Sequence, residues 1–473
     1  MIAMDSHTLY IRILFIAMKN SHLYMSSSRR IAMKVCIIGA GDAGAISALQ
    51  VRRLDANAQI DVFSRNEELG CPPCEMPLVL NGTIERWEDL YRGIRTKSFY
   101  EKRGINLHLN TEVTDIIREE KCIVAGGKKH DYDKLILALG GAPIIPPISG
   151  LNGKNEFVLS TDIKDAKALE DAISKYNSAA IIGGGFLALE VAAAVRARRY
   201  ARVYMLVRRD IMRTYLDEDM AETIKRVLVE NGIELILPAN IVKVETVNGK
   251  KHIILSEGKV EADFIFFGTG SKPNVELARK AGLKIGETGA IAVDPYLQTS
   301  DPDIYAAGDC MENWDIISRS RRRIQLATNA IRTGYISGRN AILDNEITYE
   351  GTVMPFVTEI FSYQVGSVGY TERATHGKMD IASVSVSTPK LRQVSDGQPA
   401  WYKLIAERKT KRLVGAQVIS QEMVSGTIDK LAVAIANKME VIKLVQIDSC
   451  YSPHVQEDQI AVPLQKLVNA LRG

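Results

Sequence analysis

Two cysteines three positions apart, Cys71 and Cys74, form the segment of this sequence best suited to chemistry. A C-x-x-C pair can exchange electrons as two thiols and a disulfide, hold zinc, or pack in a core. A structural zinc site needs two further cysteine or histidine ligands at comparable spacing, and the seven histidines include no paired motif. We therefore predict no metal and favour redox chemistry, with a buried structural role as the alternative.

A glycine-rich turn precedes the cysteines. Gly39, Gly41 and Gly44 follow an apolar run and open a helical pattern, which is the spacing of a dinucleotide-binding turn. In such a turn glycine permits the tight bend, the approach of a pyrophosphate and close helix–strand packing, while the helix N-terminus faces the phosphates. Ser64 stands where an acidic residue usually holds a ribose, and we predict that it lies at the cofactor.

A second turn of the same kind begins at Gly183 and includes Gly185, with alanine in place of the third glycine. The helical segment that follows contains Glu190, which we also predict to contact the cofactor. The next strand ends in Arg208 and Arg209 rather than in an acid. Guanidinium groups suit a ribose 2′-phosphate, so we predict NADPH, with NADH as the alternative if both arginines only decorate a surface turn.

The elements around these residues predict an α/β protein of three domains. Each glycine turn belongs to a strand–turn–helix–strand unit, which predicts two Rossmann-like folds. The segment IYAAGDC predicts a strand that returns to the first sheet and ends near Asp309, where ligands of such sheets bind. After Tyr349 the sequence alternates as antiparallel strands do and then becomes helical, which predicts a C-terminal α+β domain.

Composition excludes some classes of protein. The net charge of +4, from 60 basic and 56 acidic residues, is too small to indicate a nucleic-acid-binding protein. The apolar stretch at residues 9–18 is too short to span a bilayer and is interrupted by Arg12, so we expect no membrane segment. Six irregularly spaced cysteines are typical of reduced thiols, and we expect a cytoplasmic protein whose only disulfides are catalytic.

Beyond the glycine turns, the chain resembles the flavoprotein disulfide reductases, and among them most closely coenzyme A disulfide reductase with its NADH oxidase and persulfide reductase relatives. The resemblance rests on QVRRLD at residues 50–55, the C-x-x-P element at 74–77, YDKLILALG, VRRDIMR with LDEDM, IYAAGDC, FSYQVGSVG and YSP. It implies FAD in the first nucleotide fold, NADPH or NADH in the second, and a homodimer formed by the C-terminal domain.

With the resemblance, the predicted domains can be given bounds. They are an N-terminal extension at 1–32 that need not be native, an FAD-binding domain at 33–148 and 269–346, an NAD(P)-binding domain at 149–268, and a dimerisation domain at 347–473.

The resemblance also implies roles for individual residues. Cys74 matches the single cysteine that these enzymes hold against the flavin, where its thiolate attacks a disulfide, and Asp309 matches the residue that binds the flavin's ribityl chain. The other matches are Gln50 and Arg53, which imply contacts with coenzyme A, and Tyr363 and Tyr451, which imply tyrosines reaching the partner subunit's active site. Cys71 has no counterpart and makes an internal Cys71–Cys74 disulfide possible.

Three functions are consistent with the sequence. The first is reduction of a small disulfide, persulfide or polysulfide at Cys74. The second is an NAD(P)H oxidase or peroxidase in which Cys74 cycles through sulfenic acid. The third is a flavin electron carrier or redox sensor. We expect Pro72 or Pro73 to start a helix whose first turn contains Cys74, where the helix dipole and the oxidised flavin both favour the thiolate.

Overall fold

The computed structural model describes residues 32–199, 202–388, 399–449 and 460–472. The helices in these ranges are α1 Asp42–Leu54, α2 Met76–Leu80, α3 Lys97–Glu101, α4 Ile163–Lys175, α5 Phe186–Arg199, α6 Glu218–Glu230, α7 Glu276–Lys280, α8 Ala327–Asn340, α9 Glu372–Thr375, α10 Ser425–Ala436, α11 Val441–Leu444 and α12 Ala461–Ala470.

The strands in these ranges are β1 Lys34–Ile38, β2 Gln59–Phe63, β3 Asn106–His108, β4 Val113–Ile117, β5 Cys122–Ala125, β6 Lys128–Asp131, β7 Lys134–Leu137, β8 Gly141–Pro143, β9 Glu156–Phe157, β10 Ser178–Ile182, β11 Arg202–Leu206, β12 Ile233–Ile236, β13 Ile241–Val247, β14 Lys250–Leu255, β15 Lys259–Ala262, β16 Phe264–Phe267, β17 Ser271–Pro273, β18 Ile304–Ala306, β19 Asn313–Trp314, β20 Arg321–Arg322, β21 Phe356–Ile360, β22 Tyr363–Gly369, β23 Ile381–Thr388, β24 Ala400–Glu407 and β25 Leu413–Ser420.

The first domain is built on a parallel sheet in the order β18-β7-β1-β2-β3. Its strands are apolar runs because both faces are covered. Helix α1 packs on one face, where Ala48 and Val51 join Val35 in a buried cluster. The small sheet β4-β5-β6 covers the other face, where Ile123 packs with Phe63. Because β18 comes from far along the chain, the chain leaves this domain and later returns to it.

The second domain repeats the design, with a parallel sheet in the order β12-β11-β10-β16-β9. Strands β8 and β17, which follow β7 and β16, pair antiparallel with each other, and Gly141 lies opposite Pro273. This two-stranded link connects the two nucleotide folds, because each of its strands follows a strand of one parallel sheet.

The C-terminal domain is an antiparallel sheet in the order β21-β22-β25-β24-β23. Helices α10 and α12 pack on it through a buried cluster that includes Leu404, Leu431 and Leu467. A separate buried cluster contains Cys71, Leu189 and Ile360, and so joins all three domains in one core. No helix in the described part of the chain is long and apolar enough to cross a membrane. The residues at which one domain ends and the next begins remain a prediction.

Candidate active site

The first glycine turn lies at the carboxyl end of β1. Gly39 has φ +113°, and a Cβ there would lie 2.0 Å from the carbonyl oxygen of Ala138. A Cβ on Gly44 would lie 1.9 Å from the carbonyl oxygen of Gly39. A Cβ on Gly41, in contrast, would meet nothing within 4 Å. The outer glycines therefore allow the backbone to pack, whereas Gly41 borders open space.

That open space suits the pyrophosphate of a dinucleotide. Gly41 is the N-cap of α1, and no side chain caps this 13-residue helix, so its first N–H groups face the space. Asp309 follows β18 at the same edge of the sheet, and burial, with a smaller contribution from the negative charge of Asp42, raises its pKa to about 7. A carboxyl group held out of water in this way can accept hydrogen bonds from the hydroxyls of a flavin's ribityl chain. These residues fit FAD.

Ser64 follows β2 at the same end of the sheet. Its backbone N–H donates to the carbonyl of His108 at 2.9 Å, and its hydroxyl accepts the backbone N–H of Asn66 at 3.3 Å. The hydroxyl thus shapes the turn after β2. A contact between Ser64 and a ribose stays a prediction.

The second glycine turn repeats the first. Gly183 has φ +133°, and a Cβ there would lie 2.2 Å from the carbonyl oxygen of Gly268. Ala188 occupies the place of the third glycine because its partner is small: a Cβ on Gly268 would lie 2.5 Å from that of Ala188. A Cβ on Gly185 would meet only one atom within 4 Å, at 3.9 Å. The turn therefore also fits the pyrophosphate of a nicotinamide cofactor.

Arg208 and Arg209 lie just beyond β11, at the carboxyl edge of the second sheet, and both are exposed. This edge is where a Rossmann fold holds the adenosine ribose. The neighbouring Asp210 pairs with Lys225 at 3.0 Å. The two arginines thus face solvent directly after the strand, where they can reach a bound ligand.

Glu190 lies in α5 and faces the C-terminal domain. It accepts a short hydrogen bond from the hydroxyl of Thr358 in β21, while its other oxygen, Oε2, is buried with no partner in the described residues. Burial raises its pKa to about 7 although the Thr358 bond opposes the shift. A buried oxygen without a partner is costly, so this group is suited to accept a donor from a bound ligand or to hold a proton.

Cys74 and Cys71 have opposite environments. Cys74 is exposed, whereas Cys71 is 1% exposed and belongs to the core that joins the three domains. Both are free thiols in this structure. Burial and then the charge of Glu75 raise the pKa of Cys71 to about 12, and Arg95 opposes them. The described residues contain no cluster of three or more side chains that could hold a metal.

Cys74 lies in a turn, and α2 begins only at Met76. The predicted helix start at Pro72 or Pro73 is therefore wrong. A residue that precedes a proline is disfavoured in the α conformation, which applies to Pro72 because Pro73 follows it. Cys74 therefore precedes the helix and does not lie in its first turn as we expected, and the dipole of a helix of five residues is small.

The protein around Cys74 favours the neutral thiol. The side chain reaches solvent from within a recess, and burial, followed by the charges of Glu190 and Glu75, raises its pKa to about 11. A backbone hydrogen bond at Cys74 lowers the pKa, and the charge of Asp42 adds a smaller rise. The described protein groups therefore oppose the thiolate that we expected a helix dipole and the oxidised flavin to favour. The contribution of an oxidised flavin to the thiolate stays a prediction.

The segment that leads into the Cys74 turn lies against the first glycine turn. A Cβ on Gly70 would be 3.9 Å from the Cα atom of Gly41, and the N–H of Cys71 donates to the carbonyl of Thr161 at 3.0 Å. On its other side, α2 packs on α5, where Arg198 donates to carbonyls at the end of α2. The exposed thiol is therefore bracketed by the two nucleotide folds.

The remaining predicted residues lie on other elements, α1 and β22, or outside the described residues. Gln50 is 4% exposed and packs between α1 and α8, where Gly338 approaches it, whereas Arg53 at the end of α1 is exposed. Tyr363 begins β22 and is half-buried, with its ring centroid 6.2 Å from that of Trp401. Tyr451 lies outside the described residues. The substrate and partner contacts of all four stay predictions.

An ion-pair cluster beside Cys74 was not predicted from the sequence. Arg95 bonds to both Asp42 and Glu75, and these three residues have no motif spacing that could have indicated it. The hydrogen bond between Thr358 and Glu190 could not be predicted from the sequence either, because it joins two domains.

The comparisons with known proteins agree with this geometry. A family model described as pyridine nucleotide-disulphide oxidoreductase matches residues 33–334, and the dimerisation domain of that family matches 356–460. An NAD(P)H sulfur oxidoreductase (CoA-dependent) of Pyrococcus abyssi is 32% identical, over 86% of this chain and 92% of that protein. An NADH oxidase of Methanocaldococcus jannaschii is 30% identical, over 89% and 95%.

Among solved structures, an NAD-dependent persulfide reductase from A. fulgidus has a TM-score of 0.88 and 28% identity, covering 92% of this chain and 83% of that one. Membership of the matched family implies FAD and a pyridine nucleotide, the two groups that the glycine turns fit. The chain has two nucleotide folds with an exposed cysteine between them, and the family models match most of its length. It therefore belongs to the pyridine nucleotide-disulphide oxidoreductases.

Proposed function

We propose that this enzyme passes electrons from NADPH or NADH, through FAD, to a small disulfide, persulfide or polysulfide that reacts at Cys74. The observation that carries the proposal is the position of one exposed thiol between the two nucleotide folds. The segment before its turn lies against the first glycine turn, and the turn leads into a helix packed on the second nucleotide fold. The curated relatives described as sulfur and persulfide reductases support the same chemistry.

In this proposal the thiolate of Cys74 attacks one sulfur of a disulfide RSSR, forms a mixed disulfide and releases one RS⁻. Two electrons then cleave the mixed disulfide, which restores the Cys74 thiolate and releases the second RS⁻. The protons go to the two thiolates, so that NAD(P)H, one proton and RSSR yield NAD(P)⁺ and two RSH. FAD, when bound, supplies the two-electron transfer between nicotinamide and sulfur. Glu190 Oε2 is a site that can hold a proton nearby.

Coenzyme A is the small thiol that we propose. Arg53 is exposed at the end of α1, and the preceding Arg52 donates to the carbonyls of Arg103 and Gly104. An open cleft of about 500 Å³ beside this point has basic, hydroxyl and apolar walls, lined by Gly93, Ile94, Thr96, Ser98, Phe99, Lys102 and Arg103. Basic groups beside an aromatic ring suit a ligand that joins phosphates to a base.

A homodimer is the assembly that we propose. The match of the dimerisation domain to residues 356–460 supports it, as do the exposed apolar side chains Val357, Met423 and Val433 on the same domain. An oxidase that reduces oxygen through a Cys74 sulfenic acid is the second candidate, because the relative from M. jannaschii is described as an NADH oxidase.

Parallel turnover assays test the proposed function. The FAD-loaded protein is given NADPH or NADH with coenzyme A disulfide, polysulfide or oxygen, and initial rates of nicotinamide oxidation are compared, with the sulfur oxidants under anaerobic conditions. We expect at least one sulfur oxidant to be reduced faster than oxygen. A rate with oxygen that exceeds both sulfur rates would favour the oxidase, and a protein that cannot take up FAD would end the proposal.

Replacing Arg208 and Arg209 together by glutamine should weaken NADPH binding about ten- to a hundredfold and NADH binding little. The loss of one charge-assisted contact to phosphate costs about 1.5–3 kcal/mol, and only NADPH carries that phosphate. The measurement is KM for both cofactors. Arg226→Gln, an exposed change on α6 of the same domain, is the control. Equal losses for both cofactors would show that the arginines are structural.

A further inference from the structure

Arg95 occupies a position between the dinucleotide-binding helix and the cysteine turn. It ends the short 3₁₀ segment Gly93–Arg95. Its Nε and Nη2 donate to the two carboxylate oxygens of Asp42 at 3.1 and 3.3 Å. Its Nη1 donates to both carboxylate oxygens of Glu75 at 2.9 and 2.8 Å. One guanidinium group thus holds two carboxylates that lie 33 positions apart in the chain.

These ion pairs are largely shielded from water. The side chains of Arg95, Asp42 and Glu75 are 15%, 9% and 28% exposed. Ion pairs at this depth are screened less by salt than surface pairs, and removing one partner leaves the other charges poorly solvated. We therefore expect Arg95 to matter more than the exposed pair between Arg86 and Asp89.

Each carboxylate belongs to a functional element. Asp42 is the first residue of α1, directly after Gly41 and at the helix end that faces the cofactor's phosphates. Glu75 directly follows Cys74 and is the N-cap of α2. Arg95 is therefore the side chain that ties the Cys74 turn to the FAD helix through charge-assisted bonds.

The charged side chains that act most strongly on the Cys74 thiol are carboxylates. The titratable groups that act on its thiol are Glu190 from α5, Glu75 from its own turn, Asp42 from α1 and, across the turn, Cys71. All three carboxylates oppose the thiolate, and Asp42 also opposes ionisation of Asp309. Arg95 is bonded to two of the three. Without it, two unbalanced negative charges would face both the reactive sulfur and the place of an anionic pyrophosphate.

We propose that Arg95 is a positioning residue: it fixes the Cys74 turn on the dinucleotide-binding helix and neutralises, through Glu75 and Asp42, two of the carboxylates beside the reactive thiol. The assignment of Cys74 as the reacting thiol rests on the proposed function, but the ion-pair geometry does not. The same residue links the two sites, so the occupancy of the FAD site and the reactivity of Cys74 should depend on each other.

Alkylation of Cys74 in the FAD-loaded enzyme tests this proposal. After reduction with dithiothreitol and desalting, the protein reacts with uncharged iodoacetamide at pH 7 to 10, and the Cys74 peptide is quantified by mass spectrometry. Arg95→Gln should slow alkylation of Cys74 at least about fivefold at each pH below the plateau, because exposed carboxylates disfavour the thiolate. It should also speed the loss of FAD on dilution.

Two further variants separate charge from simple loss of structure. Arg95→Gln combined with Glu75→Gln removes one uncompensated carboxylate and should recover at least half of the lost rate on a logarithmic scale. Arg92→Gln changes an exposed arginine three positions away and should leave the rate within twofold of the unchanged enzyme. An Arg95→Gln enzyme with unchanged alkylation and FAD retention would overturn the proposal, and so would a double variant that folds but recovers nothing.

The alkylation result does not depend on turnover. If Cys74→Ser retains disulfide reduction, the proposed function fails, yet the dependence of Cys74 alkylation on Arg95 can still be measured. The two proposals can therefore fail separately.

Discussion

Cys74→Ser should lower the rate of disulfide or polysulfide reduction by roughly 10³-fold or more while the protein keeps its FAD. A serine hydroxyl neither attacks sulfur at useful rates nor forms a mixed disulfide, so the route from flavin to substrate is lost. The variant should keep its FAD because Cys74 is exposed in a turn, whereas the glycine turn and Asp309 lie at the carboxyl edge of the parallel sheet. Initial rates of NADPH oxidation with each sulfur oxidant, together with the flavin absorbance of the purified variant, measure both parts.

Cys71→Ser is the matched control. Because Cys71 is buried in the core that joins the three domains, serine there should cost about 1–3 kcal/mol of unfolding free energy through its buried hydroxyl. Turnover per folded enzyme should stay within about tenfold, because this thiol does not reach solvent. An inactive Cys71 variant with an active Cys74 variant would assign the nucleophile to the other sulfur. Loss of turnover in both folded variants would indicate an internal disulfide.

The protein groups around Cys74 disfavour the thiolate, which is the form that attacks a disulfide. Burial and three carboxylates raise the pKa of this thiol to about 11, and they outweigh a backbone hydrogen bond at Cys74 that lowers it. The thiolate fraction therefore rises with pH across the neutral and alkaline range. A ligand that supplies positive charge would lower the pKa and increase this fraction at neutral pH. This is the physical reason to regard Arg95, the bound flavin and the substrate as joint determinants of reactivity.

The two glycine turns could be predicted from local sequence. Glycine is needed at positions 39, 44 and 183 because a Cβ there would clash with a nearby backbone oxygen, and the spacing of these glycines therefore identified both nucleotide folds. The position of Asp309 at a sheet edge followed from the same rule. Strand-like segments after residue 349, with a strict apolar–polar alternation in β21, likewise predicted the antiparallel C-terminal domain.

Features that depend on distant pairing were not predicted. Arg95 meets partners 20 and 53 positions away, and Thr358 meets Glu190 from another domain. The β8–β17 link joins segments about 130 positions apart. The helix after Cys74 was misplaced for a local reason: two adjacent prolines suggested a helix start, but proline also disfavours helix in the residue before it. Its first turn contains Pro77 instead.

The second large effect concerns alanine replacements of Gly41 and Gly44, which belong to one motif. One replacement should affect FAD binding and the other should affect stability. Gly44→Ala places a Cβ 1.9 Å from a backbone oxygen, which no rotamer change relieves. We expect it to destabilise the first domain by about 3–5 kcal/mol, which lowers the folded-to-unfolded ratio by a hundred- to several-thousandfold. Thermal unfolding of the apoprotein and the yield of soluble protein measure this loss.

Gly41→Ala should spare the fold and lose the cofactor. Gly41 has φ −79° and ψ −172°, a conformation open to alanine, and a Cβ there meets no protein atom within 4 Å. The unfolding temperature of the apoprotein should therefore be unchanged. The added methyl group projects into the space that we assign to the pyrophosphate, and FAD affinity should fall at least about a hundredfold, or about 2.7 kcal/mol. Titration of the two apoproteins with FAD measures the difference. Tight FAD binding by the alanine variant would mean that the pyrophosphate does not approach Gly41, and the place of the flavin relative to Cys74 would have to be reassigned.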